Sequence, residues 1–549
     1  MLPAALLQAQ NLNPTVEVTN VYASGANGIV KPVQEMAVPD SVTAFNLKLD
    51  YSVFDNPYKG AYEFTPYSVD VVPAVSAPAS RVFYLRAGAG YTLHPEFEAV
   101  YSPVLWNKVR LDLFARNRSY FGPYRGRQTV DLYKGDATIR KVVWDRSRSY
   151  GYDSDTELGA RALYAWKKGE TFFSARWNNL SGQDWLATRS LNGVQLAAGV
   201  KSVGLERFGY DVKASWKHEG DYGGAVSPFS VVSDRADVRS LFTVPMQGAG
   251  ELYARADFSL EALRGDLTGT AAMLWITPGY RFTAGNWKLD LGVLLDAFIG
   301  DRTRRSTQIV YPAVHASYTL SGGTMVAYAD ITGGSTFNPY SESVAKTHPF
   351  NAKWLPVVTG GKLMDNSLER VNASVGFRGE AWRRLQYDVR AGYARVANGR
   401  LEGLASLMQP AVGYADYHLA YAQADAAWIS DTFKAGGRLS VQYAGVRDLM
   451  VFAPSVFTGN LYASYTWIDR ITAGVTAEFA TRRTAWVSDY EACRVPGWFD
   501  LGVFGEYAVN RMMSVWLKGG NLLNTTLFRV PLYTDGSGIW FSAGVVLTF

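Results

Sequence analysis

The 549-residue sequence has one cysteine, Cys493. A single thiol excludes an internal disulfide framework and any metal site built from several cysteines. The five histidines are scattered along the chain, and none has the HExxH spacing of a zinc protease. The sequence therefore predicts no metal site and no cofactor.

Long apolar runs are also missing. No uninterrupted apolar stretch approaches the roughly 18 to 20 residues that a membrane-spanning helix requires, and the mean hydropathy is −0.07. These features exclude a membrane protein built from helices. The net charge of +5 is small for a chain of this length, so no nucleic-acid partner is expected.

Signatures of catalysis are weak. The sequence contains no Gly-x-Ser-x-Gly elbow. In "RAGAGY", Gly88 and Gly90 are a lone glycine pair within a strand pattern, which favours relief of crowding over nucleotide binding. No enzymatic activity is predicted; a Ser-His pair that folding brings together stays open as the alternative.

Aromatic residues, glycine and strict alternation are abundant. Aromatics make up 14% of the chain and there are 52 glycines. In "ERFGYDVKASWK", residues 206–217, Phe208, Val212 and Trp216 share one side of an extended chain, whereas Asp211 and Lys213 share the other. Period-two alternation of this kind is typical of a half-buried strand. It recurs at 108–116, 287–293, 384–393 and 470–480.

Counting such segments between residues 81 and 549 gives about 22 strands. Short turns are expected after every second strand, at 166–170, 204–207, 284–286, 321–323, 379–382, 430–432, 468–470 and 509–511. Longer loops are expected after most of the others, at about 119–153, 220–246, 335–363, 396–411, 482–498 and 522–538. Short turns on one rim and long loops on the other predict an all-β fold, a transmembrane antiparallel β-barrel.

In such a barrel the apolar side of each strand faces lipid and the charged side faces a wide, wet lumen. Because an unmatched charge is costly once water is displaced, we expect the inward charges to pair with one another. Independently solvated charges are the open alternative. The predicted lumen network consists of Arg110, Asp112, Arg207, Asp211, Lys213, Lys288, Asp290, Arg384, Asp388 and Arg390.

Five tryptophans lie beside the expected short turns. As a set on one rim they predict an aromatic girdle at the membrane interface, although a single tryptophan in such a place is more often a core packing residue than an anchor. The girdle residues are Trp106, Trp166, Trp287, Trp382 and Trp467.

The C-terminal "IWFSAGVVLTF" alternates Phe541, Val545, Leu547 and Phe549. An alternating last strand that ends in Phe resembles the signal by which outer-membrane barrels are recognised for insertion. The preceding "LKGGNLLNTTLF" is similar to the segment before the final strand of TonB-dependent receptors, a family whose barrels have 22 strands. The resemblance covers residues 81–549 and implies the outer membrane of a Gram-negative bacterium.

The N-terminal region departs from that family, whose members carry a large folded plug ahead of the barrel. Residues 1–10 are interpreted as the remnant of a signal peptide, with an ordinary frayed terminus as the alternative. Residues 11–80 are rich in Pro and Val and predict an extended periplasmic strap. The chain thus resembles a plugless relative, similar to receptor-like barrels of the Bacteroidetes, with residues 81–549 as the barrel.

Basic residues concentrate in the expected long loops. Arginine suits phosphate in a bidentate way, so these residues predict contact with lipopolysaccharide. Merely solvated loops are the alternative. The candidate contacts are Arg125, Arg127, Arg140, Lys141, Arg304, Arg305, Arg482 and Arg483.

Two functions follow from the resemblance. The first is a non-transporting scaffold or accessory subunit of an outer-membrane complex for barrel assembly or lipoprotein export, with outer-membrane lipid, lipopolysaccharide and other outer-membrane proteins or lipoproteins as partners. The second is an uptake or diffusion channel for small solutes. The missing plug favours the first.

Overall fold

A computed structural model of the chain describes residues 82–549, apart from 92, 107, 125–127, 135–136, 145–148, 184–187, 204–206, 225–227, 247, 249, 301–308, 321–323, 343–357, 360–363, 407–408, 469, 531–532 and 536–537. The predicted signal remnant at 1–10 and the predicted strap at 11–80 lie outside the described residues.

The described chain consists mainly of β-strands. The first half contains β1 (Phe83–Tyr91), β2 (Glu96–Tyr101), β3 (Val104–Trp106), β4 (Val109–Tyr124), β5 (Gln128–Lys134), β6 (Ala137–Trp144), β7 (Ser149–Trp166), β8 (Gly169–Gln183), β9 (Thr188–Ser202), β10 (Gly209–Gly223), β11 (Ser230–Pro245), β12 (Gly250–Gly265), β13 (Gly269–Ala284) and β14 (Trp287–Ile299). The second half contains β15 (Val310–Leu320), β16 (Met325–Asn338), β17 (Val358–Thr359), β18 (Asp365–Ala381), β19 (Leu385–Ser406), β20 (Gln409–Ile429), β21 (Phe433–Ala444), β22 (Phe457–Trp467), β23 (Ile471–Ala480), β24 (Arg483–Trp486), β25 (Ala492–Val495), β26 (Trp498–Ala508), β27 (Met513–Gly520), β28 (Leu527–Val530), β29 (Tyr533–Asp535) and β30 (Trp540–Thr548).

Twenty-two of these strands form a closed antiparallel ring, which confirms the predicted fold class and strand number. The ring closes where β1 pairs with β30, from Tyr84↔Thr548 to Tyr91↔Phe541. Closure is required because hydrocarbon offers no hydrogen-bond partner to a sheet edge. The strands outside the ring are β3, β5, β6, β17, β24, β25, β28 and β29.

Among the described residues, helix contributes one turn at 340–342. Over the residues that the structure describes, no helix combines the length and the apolar character needed to cross a membrane.

The two rims of the barrel differ in their connections. Very short turns join the strands at one rim, for example at 167–168, 285–286 and 382–384, and this short-turn rim also holds both ends of the described chain. There, Val82 N donates to Phe549 O over 2.6 Å. Longer connections at 125–148, 339–364, 481–497 and 521–539 belong to the opposite, long-loop rim. The rim asymmetry predicted from the sequence is therefore present.

Two of the predicted long loops are wrong. The interval 220–246 contains a complete barrel strand, β11, whose outward face includes Asp234 and Ser240 and so lacks a clean apolar alternation. The interval 396–411 is the top of a tall hairpin, because β19 and β20 are separated only by residues 407–408. Their inward residues Val396 and Leu401 are buried against Val446 and Val451 of the next long connection, which extends the pairing above the membrane.

The alternation that opened the sequence argument is realised in β10. Trp216 points outward and is 42% exposed, whereas Asp221 points into the lumen and has no exposed surface. Apolar packing inside the barrel is concentrated near the long-loop rim. One cluster packs inward residues of β9 to β16, including Leu191, Val231 and Met273, against Tyr340 of the connection after β16.

Candidate functional site

Inward-facing charges on neighbouring strands form ion pairs along the lumen wall. Arg116 Nη2 and Arg176 Nε each lie 2.9 Å from a carboxylate oxygen of Glu157. Arg281 bridges Glu251 at 2.6 Å and Asp290 at 3.0 Å. The pairs neutralise charge that would otherwise repel across the wall.

Most of the predicted lumen residues have a nearby partner. Arg110 lies 3.0 Å from Asp112, and Lys213 lies 3.3 Å from Asp211. Further pairs join Asp290 to Arg281 and Tyr253, Asp388 to Tyr328, and Arg390 to Gln423.

The other three predicted lumen residues lie near the short-turn rim. The backbone carbonyl of Lys288 accepts from Ser317. Arg207 and Arg384 lie in exposed turns and form no ion pair with the described residues. The predicted ten-residue lumen network stays a prediction.

A buried ion pair that the sequence did not indicate lies higher in the lumen. Arg189 and Asp221 are both fully buried, with the guanidinium donating to the carboxylate over 2.8 and 2.6 Å. The sequence pattern did not single out either residue, because each belongs to a strand with other polar residues on its inward side. Asp221 has the same alternation on β10 as the inward residue Asp211, and this alternation could have predicted that Asp221 points into the lumen.

The connection after β16 folds into the lumen at this point. Tyr340 is 1% exposed, and its phenol donates to Asp221 over 2.7 Å. Its backbone N–H donates to Glu261 over 2.6 Å, and Glu342 accepts from Arg235 over 2.9 Å. Burial raises the pKa of the Tyr340 phenol, and the adjacent Asp221 carboxylate raises it further, so the phenol stays a donor.

Segment 339–342 is therefore fixed by inward side chains from four neighbouring strands, β9 to β12. We call this assembly of Arg189, Asp221, Arg235, Glu261 and segment 339–342 the lumenal lock. Its four lumenal charged side chains each have a partner, although Ser341 Oγ is buried without a hydrogen-bond partner among the described residues. Its tyrosine ring is packed among apolar side chains.

The outer mouth carries a second small sheet. Strands β6, β5, β25 and β24 pair in that order, so the connections after β4 and after β23 meet above the barrel. Leu132 of β5 and Cys493 of β25 pack in one buried cluster with Phe452. Arg483 is 4% exposed, pairs with Glu402 and donates to the carbonyl of Phe528 over 2.9 Å.

The predicted girdle tryptophans lie at the short-turn rim. Trp287 contacts Tyr318, and Trp467 contacts Tyr465, with ring centroids 4.9 and 4.6 Å apart. Trp166 stacks on Tyr164, and Trp382 is 77% exposed beside Trp428. The side chain of Trp106 lies outside the described part of the chain.

The residues of the predicted insertion signal point outward from the last strand. Phe541, Val545 and Phe549 are 44%, 38% and 51% exposed. Phe549 stacks on Phe83, with 6.1 Å between ring centroids. Leu547 pairs with Leu85 across the seam between β30 and β1.

The predicted lipopolysaccharide contacts are only partly described. Arg125, Arg127, Arg304 and Arg305 lie outside the described residues, and for Arg140 and Lys141 only the backbone in β6 is described. Arg482 is exposed, whereas Arg483 is turned into the outer sheet. The lipopolysaccharide assignment stays a prediction. Within the described ranges, no group of three His, Cys, Asp or Glu side chains gathers as metal ligands would.

No protein-family model and no curated protein matches the sequence. Solved structures do match. The ferripyoverdine receptor of the Pseudomonas aeruginosa outer membrane superposes with a TM-score of 0.62 at 12% identity, over 85% of this chain and 71% of the receptor. The barrel has the fold of TonB-dependent receptors.

Two further structures agree. The FrpB iron transporter of Neisseria meningitidis gives a TM-score of 0.63 at 9% identity, over 85% of this chain and 81% of FrpB. The ferric enterobactin receptor PfeA of P. aeruginosa gives 0.61 at 10% identity, over 85% and 80%. By name, these proteins are receptors and transporters rather than enzymes. A closed barrel of this fold with an apolar exterior places the protein in the outer membrane of a Gram-negative bacterium.

Proposed function

We propose that this protein is a non-transporting subunit of an outer-membrane complex, a plugless barrel closed to free diffusion. The observation that carries the proposal is the lumenal lock, in which segment 339–342 is bound inside the barrel by Asp221, Glu261 and Arg235.

The packing around the lumenal lock favours a permanently filled lumen rather than a gated one. Tyr340, Met273 and Leu191 are each at most 1% exposed. Burying one large apolar side chain contributes about 1.5 to 3 kcal/mol, so withdrawing the segment would cost several times that amount. Withdrawal would also leave the buried Asp221 without its phenol donor.

A filled barrel that does not transport still presents a rigid outer wall and an outer sheet. Such surfaces suit contact with other outer-membrane proteins or lipoproteins, the partners that we propose. The basic loop residues suit lipopolysaccharide as a further partner.

Single-channel recording in planar bilayers tests the closed lumen. We expect electrical silence from the wild-type protein and steady conductance from the Tyr340→Ala/Glu261→Ala double variant, because it removes the phenol and the acceptor of the segment's N–H groups. Glu251→Gln is the matched control, because Glu251 is a lumenal carboxylate that pairs with Arg281 in the barrel wall. Steady conductance from the wild type would reject the proposal.

A second candidate function is gated uptake, which the likeness to the ferripyoverdine and ferric enterobactin receptors favours. Purification in mild detergent distinguishes the two candidate functions. Co-purifying outer-membrane proteins together with electrical silence support the subunit function. A monomeric mass with ligand-dependent conductance supports uptake.

A further inference from the structure

An uncharged polar stripe crosses the outer surface of four neighbouring strands. Its first half lies on β4 and β7. Asn117 Nδ2 donates to Thr156 Oγ1 over 2.7 Å and to Ser154 Oγ over 3.3 Å. Ser119 Oγ lies 2.9 Å from Ser154 Oγ. These four side chains therefore form one hydrogen-bonded group.

The second half lies on β8 and β9. Asn192 Nδ2 donates to Ser190 Oγ over 3.0 Å, and Asn179 donates to both Ser190 and Asn192. Asn179 is directly opposite Thr156 in the pairing of β7 with β8, which joins the two halves. These seven residues are the polar stripe.

The polar stripe faces away from the lumen. Three stripe residues point to the same side of their strand as an exposed apolar neighbour. The pairs are Asn117 with Leu113 on β4, Thr156 with Leu158 on β7, and Asn192 with Val194 on β9. Those three apolar residues are 39%, 45% and 39% exposed. They lie on the short-turn side of the stripe, and the 43% exposed ring of Phe121 lies beyond it on β4, so the stripe interrupts the apolar outer surface of these strands toward its outer end.

Strand β14, five strands round the ring from β9, keeps an apolar outer face at the same count from the short-turn rim. Ser190 is 12 residues from Ser202, the last residue of β9 at the short-turn rim. Ile299 is likewise 12 residues from Trp287, the first residue of β14, and it is 68% exposed. The uncharged polar stripe is therefore not repeated on β14, and on β19 and β20, across the ring, the exposed residues Arg395 and Asp416 near this count are charged.

The chemistry of the polar stripe limits the kinds of ligand that it can bind. Amide and hydroxyl groups both donate and accept hydrogen bonds, and the stripe contains no ionised group. On β11 and β12, beyond β10, the charged residues Asp234 and Arg264 pair with each other and offer little to a phosphate. A matching partner presents many uncharged hydroxyls at the boundary of the acyl chains. Sugars of a glycolipid headgroup have that chemistry and that depth.

We propose that the polar stripe binds the sugar headgroup of a glycolipid in the outer leaflet. The site is distinct from the basic loops, whose expected ligand group is phosphate. It does not depend on whether the lumen conducts.

Native mass spectrometry of the detergent-purified full chain tests this proposal, with rough lipopolysaccharide, its dephosphorylated form and phosphatidylglycerol as probes. We expect the dephosphorylated form, which the basic loops cannot recognise through phosphate, to bind, and phosphatidylglycerol not to compete with it. The Asn117→Leu/Asn179→Leu/Asn192→Leu variant should bind about tenfold more weakly or worse, because three amides are lost. The control Thr270→Leu, an exposed polar residue at the outer end of β13, should bind as the wild type does.

Three results would overturn the proposal: undiminished binding by the triple variant, binding that disappears with the phosphates, or a doubled mass that the triple variant abolishes, which would assign the stripe to a second copy of the chain. Asn179→Leu alone, a milder change, should weaken binding about threefold if the triple variant does not fold. Unchanged binding by that single variant would then reject the stripe as the site.

Discussion

Lys518 and Glu96 form an ion pair across the seam where the barrel closes. Lys518 Nζ on β27 lies 2.7 Å from Glu96 Oε2 on β2, although β30 and β1 lie between those strands. The pair can span them because the intervening inward positions are small, with Gly88 and Gly90 on β1 and Ser542 on β30. The ammonium also lies 5.5 and 5.6 Å from the ring centroids of Trp516 and Trp540.

Removing one member of this pair is expected to destabilise the barrel. The two side chains are only 12% and 14% exposed, so Lys518→Met leaves a buried carboxylate without its cation. The expected loss in free energy of unfolding is about 3 to 5 kcal/mol. Urea unfolding in detergent measures it. The Lys518→Met/Glu96→Gln double variant should recover part of the loss, and a double variant as unstable as the single one would contradict this account.

Glycine at position 544 is expected to be required for seam closure. A Cβ there would lie 2.0 Å from the carbonyl oxygen of Ala87 on the paired strand and 2.6 Å from the ring of Trp516. Gly544→Ala should therefore lower stability by about 1 to 3 kcal/mol or more and reduce the yield of folded barrel in a heat-modifiability gel. Gly445→Ala is the matched control, because a Cβ at Gly445 meets no atom within 4 Å. Equal yields from the two variants would refute the steric argument.

The C-terminal aromatic is expected to affect assembly more than stability. Phe549 is 51% exposed, and it contributes one ring contact with Phe83. Phe549→Ala should change the unfolding free energy by only about 1 kcal/mol, but should sharply lower the amount of barrel inserted in cells. Phe499→Ala, which removes a lipid-facing ring from β26 with 39% exposure, is the control. If both variants insert equally well, position 549 is not a signal.

Two consecutive arginines are expected to behave differently. Arg483 pairs with Glu402 and donates to the carbonyls of Phe528 and Arg529, whereas Arg482 is exposed. Arg483→Ala leaves these acceptors unsatisfied and should loosen the outer sheet by about 1 to 3 kcal/mol, seen as faster proteolysis of the outer connections. Arg482→Ala should leave the cleavage rate unchanged. The same rate for both variants would mean that Arg483 does not stabilise the outer sheet.

The barrel itself could be predicted because its signal is local. Trp216 and Asp211 reveal their faces through their own chemistry, and a period of two holds whatever the strand pairs with. The apolar side must meet lipid, and closure then follows from the need to satisfy every backbone group. The alternation ending at Phe549 was readable for the same reason.

The errors arose where the local chemistry is mixed. Asp234 faces outward on β11, and it pairs there with His218 at 2.7 Å and with Arg264. That pairing makes a charged outward position tolerable, but the partners come from β10 and β12. A reading based on alternation therefore took the strand for a loop.

No pattern along the sequence could predict the lumenal lock. Tyr340 and Asp221 are 119 residues apart in sequence, and the contact exists only because the ring brings β10 opposite the connection after β16. Alternation specifies which side chains enter the lumen, since it is a property of each strand. Which of those side chains meet there depends on the circular order of all the strands and on the path of the connections. A hydrogen bond between residues so far apart in sequence produces no periodic pattern that the sequence could show.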